Sequence, residues 1–295
     1  MYSLTTEYNK IFCLPLLPFV LIFGDSRLTY VMSLALVYLV PFCLVMGLLA
    51  TKIFSTYPYP RQLFWLTAFL TLLMPPTWIA ILRGYPDMGG AAIIGLAIFV
   101  YLKDVKLRHW WQIPLIGFLL AFAILFRRHF AYGARAFFVA MIVQGLLFFA
   151  FEFRSGYKKA FQSLIKYGLA IALVAIASFT TLVIFAPSFI KNILTTNYRL
   201  LYASYEKNPL IVLNYFLNSY GELTWLLAFL GFLAIIITRK YFNSGILFTA
   251  IFGVFSLLQW ILSSKQINIH YNNHFALFII LGIVGFLISI ERFFP

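Results

Sequence analysis

The feature of this sequence that most constrains its fold is a series of apolar stretches, each about long enough to cross a lipid bilayer as a helix. A hydrocarbon core of roughly 30 Å requires about 20 mostly apolar residues per helix. Nine such stretches follow one another, at about 28–51, 63–82, 88–102, 111–126, 133–151, 167–186, 222–238, 245–262 and 274–290. The sequence therefore predicts an all-α, polytopic transmembrane helical protein with about nine spans.

The rest of the composition leaves little material for a soluble domain. Of the 295 residues 63% are hydrophobic and 10% are charged, so we expect one membrane domain over residues 1–295. The net charge of +14 does not indicate nucleic acid, because the basic residues form small clusters between the apolar stretches. Such clusters are typical of membrane topology and of contacts with lipid headgroups.

The N-terminal segment, residues 1–27, differs from the spans. Its apolar run, Ile11–Phe23, is short and contains two prolines, so it is predicted to form a short helical hairpin in the outer interface. Cys13 and Cys43 lie in apolar stretches without the spacing of metal ligands, which favours a packing role for both.

The basic residues of the loops predict the orientation. One set of loops, which includes Lys103, Lys158 and Arg239, carries twelve basic and three acidic residues, and the opposite set carries ten basic and five acidic residues. This bias predicts that the first set is cytoplasmic. Nine spans then place the N-terminus and the 187–221 loop outside. An exported N-terminus without a signal sequence leads us to expect a further helix upstream of residue 1.

Most of the polar chemistry is expected at the outer side. Three outer segments carry it: Arg83-Gly84-Tyr85-Pro86-Asp87, then Phe126-Arg127-Arg128-His129-Phe130-Ala131-Tyr132, then Lys265 to His274 with His270-Tyr271. The 187–221 loop adds aromatic and amide side chains. Such groups suit sugar rings, but tyrosine is also an ordinary interfacial anchor.

The order of short motifs along the chain resembles a known family. Leu14-Pro15-Leu16 and Phe23-Gly24-Asp25-Ser26-Arg27 precede a long span, Pro86-Asp87 opens a helix at the outer side, Arg127-Arg128 follow an ascending helix, and His270-Tyr271 open a late one. In this order the chain is similar to the type C membrane glycosyltransferases, in particular the branch of protein mannosyltransferases and aminoarabinose transferases. The resemblance rests on order and sidedness, because each motif is short.

The resemblance implies transfer of a sugar from a polyprenyl phosphate carrier to an acceptor on the outer face of a membrane, as part of the cell envelope. Arg127 and Arg128 would then bind the carrier phosphate, and a carboxylate, Asp87 or Glu7, would accept the acceptor's proton. The other expected substrate-binding residues are Arg83, His129, Tyr132, His270, Tyr271 and His274. No spacing indicates a metal site, although a divalent cation at the phosphate would suit the chemistry. A bacterial inner membrane is the expected location.

The chain departs from the family at its start. The family's first helix and acidic loop would precede residue 1, and Glu7 is the carboxylate nearest to that position. A shortened copy, or one without the usual base, is therefore expected. Two other classes stay open: a transporter or flippase of a lipid-linked saccharide, and a noncatalytic membrane scaffold. Ordinary structural roles for these motifs also stay open, since Arg127 and Arg128 suit contacts with membrane lipid phosphates and Asp87 suits a helix N-terminus.

Overall fold

A computed structural model describes residues 10–196, 200, 202–239 and 241–291. Every regular element in these residues is a helix, which confirms the predicted all-α class. The α-helical elements are α1 Leu17–Phe23, α2 Arg27–Ile53, α3 Pro60–Leu73, α4 Pro75–Leu82, α5 Asp87–Tyr101, α6 Gln112–Phe126, α7 Ala131–Phe153, α8 Tyr157–Phe185, α9 Pro187–Thr195, α10 Pro209–Tyr220, α11 Glu222–Thr238, α12 Ser244–Ser264 and α13 Asn273–Ile290. Four 3₁₀ turns accompany them, at Lys10–Leu16, Arg128–Phe130, Ala203–Tyr205 and Ile269–Asn272.

Length and apolarity make this an integral, multi-pass membrane protein. Among the described residues, five helices are long and apolar enough to cross a membrane, and up to seven if each bent pair counts as one span. The bent pairs are α3 with α4, at 52°, and α10 with α11, at 89°. Helices α5 and α6 have 15 residues each, about 22 Å of helix, so the count of nine crossings stays a prediction.

Proline and polar caps explain where several helices begin and bend. Pro75 follows Met74, whose extended backbone ends α3, and the Thr71 carbonyl, which Pro75 leaves without its helical donor, accepts from the Thr77 hydroxyl instead. Most of the described residues in the segment 187–221 are helical rather than loop. Its helix α10 starts at Pro209 and is capped by the Asn208 side chain, which accepts from the Leu210 amide.

Helices α11 and α13 lie in direct backbone contact. A Cβ on Gly231 would collide with the carbonyl of Gly282, and one on Gly282 would lie 2.5 Å from the carbonyl oxygen of Ala228. The two backbones therefore touch, as small residues permit in membrane bundles.

A hydrogen-bonded cluster ties four helices together at the end of the bundle that holds the C-terminus of α5. The Tyr101 hydroxyl lies 2.6 Å from both Gln144 Oε1 and the Tyr167 hydroxyl, and Gln144 Nε2 donates to the Ser244 carbonyl at 2.9 Å. In the following loop, Asp104 accepts from the backbone amides of Lys106 and Arg108 and from Arg108 Nε, at 2.9 to 3.2 Å. These contacts organise the end opposite to the polar residues described next.

The N-terminal segment continues from the Lys10–Leu16 turn into α1. Gly24 then adopts φ 81°, which reverses the chain before Ser26 caps α2 by accepting from the Thr29 amide. Its interfacial position stays a prediction.

Candidate active site

The site begins with a carboxylate at the N-terminus of α5. Asp87 is completely buried in the first turn of that helix, where the helix dipole favours a negative charge. Gly89 and Gly90 follow two and three residues later, and a Cβ on either would collide with the rings of Phe126 and Phe130 respectively. Two glycines thus let the start of α5 lie directly against the turn between α6 and α7.

That turn presents His129 to Asp87. His129 Nε2 lies 2.5 Å from Asp87 Oδ1, and because a carboxylate accepts, the imidazole donates. His129 Nδ1 lies 2.8 Å from His274 Nε2 and, in a neutral imidazole, accepts from it. Both nitrogens of His129 are therefore engaged within the protein, in a chain Asp87–His129–His274.

A cation and a third histidine complete the cluster. Arg127 Nε lies 3.6 Å from Asp87 Oδ1, with its side chain 19% exposed. His270, on the 3₁₀ turn before α13, is 6% exposed, and its ring packs on that of Tyr85 with centroids 4.4 Å apart. One ligand atom from each of Asp87, His129 and His270 lies within 4.8 Å of those of the other two. Among the described residues, this group of one carboxylate and two imidazoles is spaced closely enough to hold a metal ion.

Two buried polar atoms of this cluster lack a hydrogen-bond partner in the described part of the chain. They are Asp87 Oδ2 and His270 Nδ1. A buried acceptor without a partner costs about 1–3 kcal/mol, and more when it is charged. These two atoms therefore indicate that a bound ligand or a water molecule provides their hydrogen-bond partner.

A cavity of about 750 Å³ opens in front of the cluster. Its basic wall carries Arg127, Arg128 and Arg135, and apolar residues of α6, α8 and α9 continue it. Its polar and aromatic lining includes Phe12, Tyr85, Arg127, Arg128, His129, Tyr132, Arg135, Tyr202, Trp260, His270 and Tyr271. Asp87 stands behind His129 and does not line the cavity.

Aromatic side chains orient the arginines. An Arg128 Nη donates to the Tyr202 hydroxyl, and the guanidinium also lies over the Tyr202 ring, 5.5 Å from its centroid. Arg135 lies 4.5 Å from the centroid of Tyr132. The basic wall is thus preorganised by side chains from α7 and from the 187–221 segment.

The structure brings together most of the residues singled out from the sequence, but not all. Arg127, Arg128, His129, Tyr132, His270 and Tyr271 line the cavity, and the buried His274 supports His129 from behind. Arg83 is exposed and does not line it. Glu7 lies outside the described residues. Asp87 accepts from His129 rather than serving as a cap.

The cavity residues that were not expected to bind substrate include Trp260, Arg135 and Tyr202. Trp260 is 1% exposed and packs on Tyr271, with ring centroids 4.3 Å apart, so in the sequence it is indistinguishable from a core tryptophan of an apolar span. Arg135 and Tyr202 carried a usable signal. Arg135 lies seven residues, about two helical turns, beyond Arg128, and Tyr202 belongs to the aromatic 187–221 segment.

A second cavity, of about 460 Å³, adjoins the first. The two share Tyr132, Tyr202, Ser264 and Gln266, and the second adds Glu206 and Lys265, whose charged groups are 3.9 Å apart. The basic cavity therefore borders a smaller space lined by hydroxyl, amide and carboxylate groups.

Comparison with known proteins places the fold. No family model and no curated protein matches the sequence. Two crystal structures of ArnT, the aminoarabinose transferase, from Cupriavidus metallidurans are similar, one bound to undecaprenyl phosphate (TM-score 0.61, 14% identity) and one in the apo state (TM-score 0.62, 13% identity). Each similarity covers 97% of this chain and 50% of the ArnT chain, so the chain spans about half the length of the structures it matches. The resemblance to this branch of the type C glycosyltransferases is thus confirmed in the fold.

Proposed function

We propose that the protein takes part in transfer of a sugar from a polyprenyl phosphate carrier to an acceptor at the outer face of a membrane. The observation that carries this proposal is the cavity in which three arginines face the buried Asp87–His129–His270 cluster. The ArnT fold supports it, since one of the similar structures binds undecaprenyl phosphate. The transporter and scaffold readings gain no comparable support.

The basic wall suits the phosphate of the carrier. Guanidinium groups form forked, charge-assisted hydrogen bonds with phosphate oxygens, and Arg127 and Arg128 stand side by side at the cavity. The adjoining apolar residues, Leu125, Phe185 and Phe189, suit the prenyl chain.

The reaction would exchange one bond at the anomeric carbon. An acceptor hydroxyl attacks that carbon, the bond to the phosphate oxygen breaks, and the carrier phosphate departs with the bonding electrons. The arginines stabilise the charge that develops on the leaving oxygen. The acceptor's proton would go to a carboxylate, Asp87 or Glu7. Since Asp87 is shielded by His129, it would act only with His129 displaced or through it.

Binding of undecaprenyl phosphate to the purified full chain tests the central claim. We expect Arg128→Ala or Arg127→Ala to weaken binding tens to hundreds of fold, because each removes a charge-assisted phosphate contact worth about 2–4 kcal/mol. Arg128→Lys should weaken it less, since the charge stays but the fork is lost.

Arg27→Ala is the matched control, because Arg27 is an exposed arginine at the start of α2, outside the cavity. We expect wild-type affinity for this variant. A folded Arg127→Ala/Arg128→Ala double variant that also keeps wild-type affinity would show that the arginines contact bulk lipid instead.

Sidedness is tested by labelling. Single cysteines at Ser204 and Ser155, both exposed, are expected to react from opposite sides of the membrane when Cys13 and Cys43 are replaced by serine and alanine. Labelling of both from the same side would contradict the outer location of the cavity. An inner-membrane location belongs to the same proposal.

A further inference from the structure

The proposed function leaves the second cavity without a role. Among the described residues, Glu206 is the one carboxylate that lines either of the two cavities. Asp87 is buried behind His129, whereas the Glu206 side chain is 29% exposed. We infer that Glu206 is the group that accepts the proton of the attacking hydroxyl. This inference rests on the proposed function and adds to it a catalytic residue that the sequence did not indicate.

Backbone hydrogen bonds fix the position of Glu206. Its amide donates to the Ala203 carbonyl at 3.2 Å, and the amide of the next residue, Lys207, donates to the Lys265 carbonyl at 2.8 Å. Lys265 follows the end of α12 and has φ 53°, in the left-handed region. The segment that carries Glu206 is thereby tied to the end of α12, beside the second cavity.

The ion pair of Glu206 leaves its carboxylate open to a substrate. The carboxylate lies 3.9 Å from Lys265 Nζ, which is longer than a hydrogen bond. Asp87, in contrast, already has His129 at 2.5 Å and Arg127 at 3.6 Å. A general base has to come within hydrogen-bond distance of the proton that it removes. Glu206 can do so without displacement of another side chain.

Tyr202 connects Glu206 with the basic wall. It lines both cavities, lies four residues before Glu206, and its hydroxyl accepts from Arg128. A carrier phosphate on Arg128 and an acceptor hydroxyl on Glu206 would thus lie on two sides of Tyr202. A displacement needs this arrangement, because the attacking oxygen enters opposite to the oxygen that leaves.

The proton transfer completes the exchange of bonds at the anomeric carbon. The acceptor oxygen bonds to that carbon while its proton passes to a carboxylate oxygen of Glu206. The bond to the phosphate oxygen breaks, and its electrons stay on the phosphate. The carboxyl group then returns the proton to water in the second cavity. Because Ser263, Ser264 and Gln266 also line this cavity, we expect an acceptor rich in hydroxyl groups, such as a carbohydrate.

Glu206→Gln tests the inference, because the amide keeps the size of the side chain but cannot take up the proton. The full chain in membrane vesicles, which supply the acceptor, receives undecaprenyl phosphate that carries a radiolabelled hexose or pentose. At saturating donor we expect the rate of transfer to fall at least about a hundredfold, since general base catalysis contributes about 10²–10⁴-fold. Binding of undecaprenyl phosphate to the purified variant should stay within about twofold of wild type.

Glu222→Gln is the matched control, because Glu222 is an exposed glutamate at the start of α11 and lines neither cavity. It should transfer at the wild-type rate. Lys265→Met separates catalysis from ion pairing, because it keeps the carboxylate and removes its charged partner. We expect this variant to lose less than about tenfold, since exposed ion pairs contribute little to stability.

Azide distinguishes a missing base from a misplaced substrate. Azide has no proton to lose, so its attack on the anomeric carbon needs no base. Its terminal nitrogen would bond to that carbon as the carrier phosphate leaves. We expect azide to speed release of undecaprenyl phosphate from Glu206→Gln at least about tenfold, with a glycosyl azide as the product.

The outcomes separate this inference from the proposed function. Loss of transfer in Glu206→Gln, with carrier binding intact and rescue by azide, supports Glu206 as the base. Transfer within threefold of wild type, lost transfer that azide does not rescue, or an equal loss in Lys265→Met overturns the inference and leaves the proposed function standing. If the wild-type chain binds the carrier but transfers no sugar, the proposed transfer fails and the role of Glu206 fails with it.

A second variant carries the test if Glu206→Gln does not fold. Glu206→Asp keeps the charge but withdraws the carboxylate by one methylene group, so it should slow transfer at least about tenfold and leave carrier binding intact. Wild-type transfer by this variant would overturn the inference.

Discussion

The Asp87 carboxylate, which has no exposed surface, lies 2.5 Å from Nε2 of His129, and 42 positions of sequence separate the two residues. The contact sets the orientation of the imidazole and joins the start of α5 to the turn between α6 and α7. It also pairs with the charge of Arg127. Replacement of this carboxylate is therefore the most informative single change in the cluster.

We expect Asp87→Asn to lower transfer from a polyprenyl phosphosugar at least about a hundredfold, because the amide removes the charge that orients and polarises His129. The melting temperature should fall too, since Arg127 and His129 lose a charged partner. Turnover with a panel of polyprenyl phosphosugars and thermal unfolding in detergent measure the two effects. Asp104→Asn, a buried carboxylate at the opposite end, should lower stability but leave turnover near wild type. Turnover of Asp87→Asn within threefold of wild type would remove Asp87 from the mechanism.

The Tyr202 hydroxyl accepts from Arg128, so we expect Tyr202→Phe to loosen that guanidinium while keeping the ring beneath it. Hydrogen bonds to charged groups contribute about 1.5–3 kcal/mol, which predicts roughly tenfold or greater weakening of undecaprenyl phosphate binding. Tyr205→Phe is the control, because Tyr205 is 63% exposed and its ring centroid lies 6.2 Å from that of Tyr202. Equal affinities for the two variants would indicate that the hydroxyl contact does not position Arg128.

Gly90→Ala should destabilise the protein by about 1–3 kcal/mol, because the added methyl group would collide with the Phe130 ring. The matched change is Gly168→Ala in α8, where the new Cβ meets nothing within 4 Å. There we expect no loss, and a gain of up to about 1 kcal/mol from helix propensity. Comparison of melting temperatures checks both. If Gly90→Ala is as stable as Gly168→Ala, the close approach of α5 to Phe130 is not required.

Asp104 predicts a dependence of stability on acidity. Burial raises the pKa of its carboxyl, but the hydrogen bonds from the Arg108 side chain and from the Arg108 and Lys106 amides outweigh burial and leave the pKa below its usual range. Because the folded-state pKa is depressed, the contribution is present above the unfolded pKa and is lost as the pH falls through the folded one. Below about pH 4, the wild-type melting temperature should therefore fall more steeply than that of Asp104→Asn. Parallel curves for the two proteins between about pH 5 and 3 would contradict this.

Helix positions follow closely from the sequence where an apolar run has clear ends. The predicted spans 222–238 and 111–126 correspond to Glu222–Thr238 and Gln112–Phe126. The span predicted at 167–186 belongs to a helix that starts at Tyr157, because its lysine-rich first turns lengthen the helix without adding to its hydropathy. The bend between α3 and α4 falls at Pro75-Pro76, because neither proline has the backbone amide that would continue the helix.

The sequence predicts less well which side chains meet in the cavity. Sidedness and depth specify the height of a residue along the membrane normal but not its angle around the bundle, which is why Arg83 was expected in the cavity yet lies outside it. The same limit conceals Trp260, whose apolar surroundings in the sequence are those of any core residue. The buried hydrogen bond between His129 and His274 depends on packing across 145 positions, which no local pattern encodes.

The contact of Gly231 with Gly282 has a mechanical consequence. Because the two backbones touch without side chains between them, we expect α11 and α13 to move together as one rigid unit. His270 and Tyr271 lie in the 3₁₀ turn at the start of α13, at the end of this unit. The cavity wall that these two residues form is therefore expected to stay rigid. If the cavity widens to admit a bulky lipid headgroup, we expect the opposite wall to move. There, Arg128 is held by the Tyr202 side chain instead of by packed backbone.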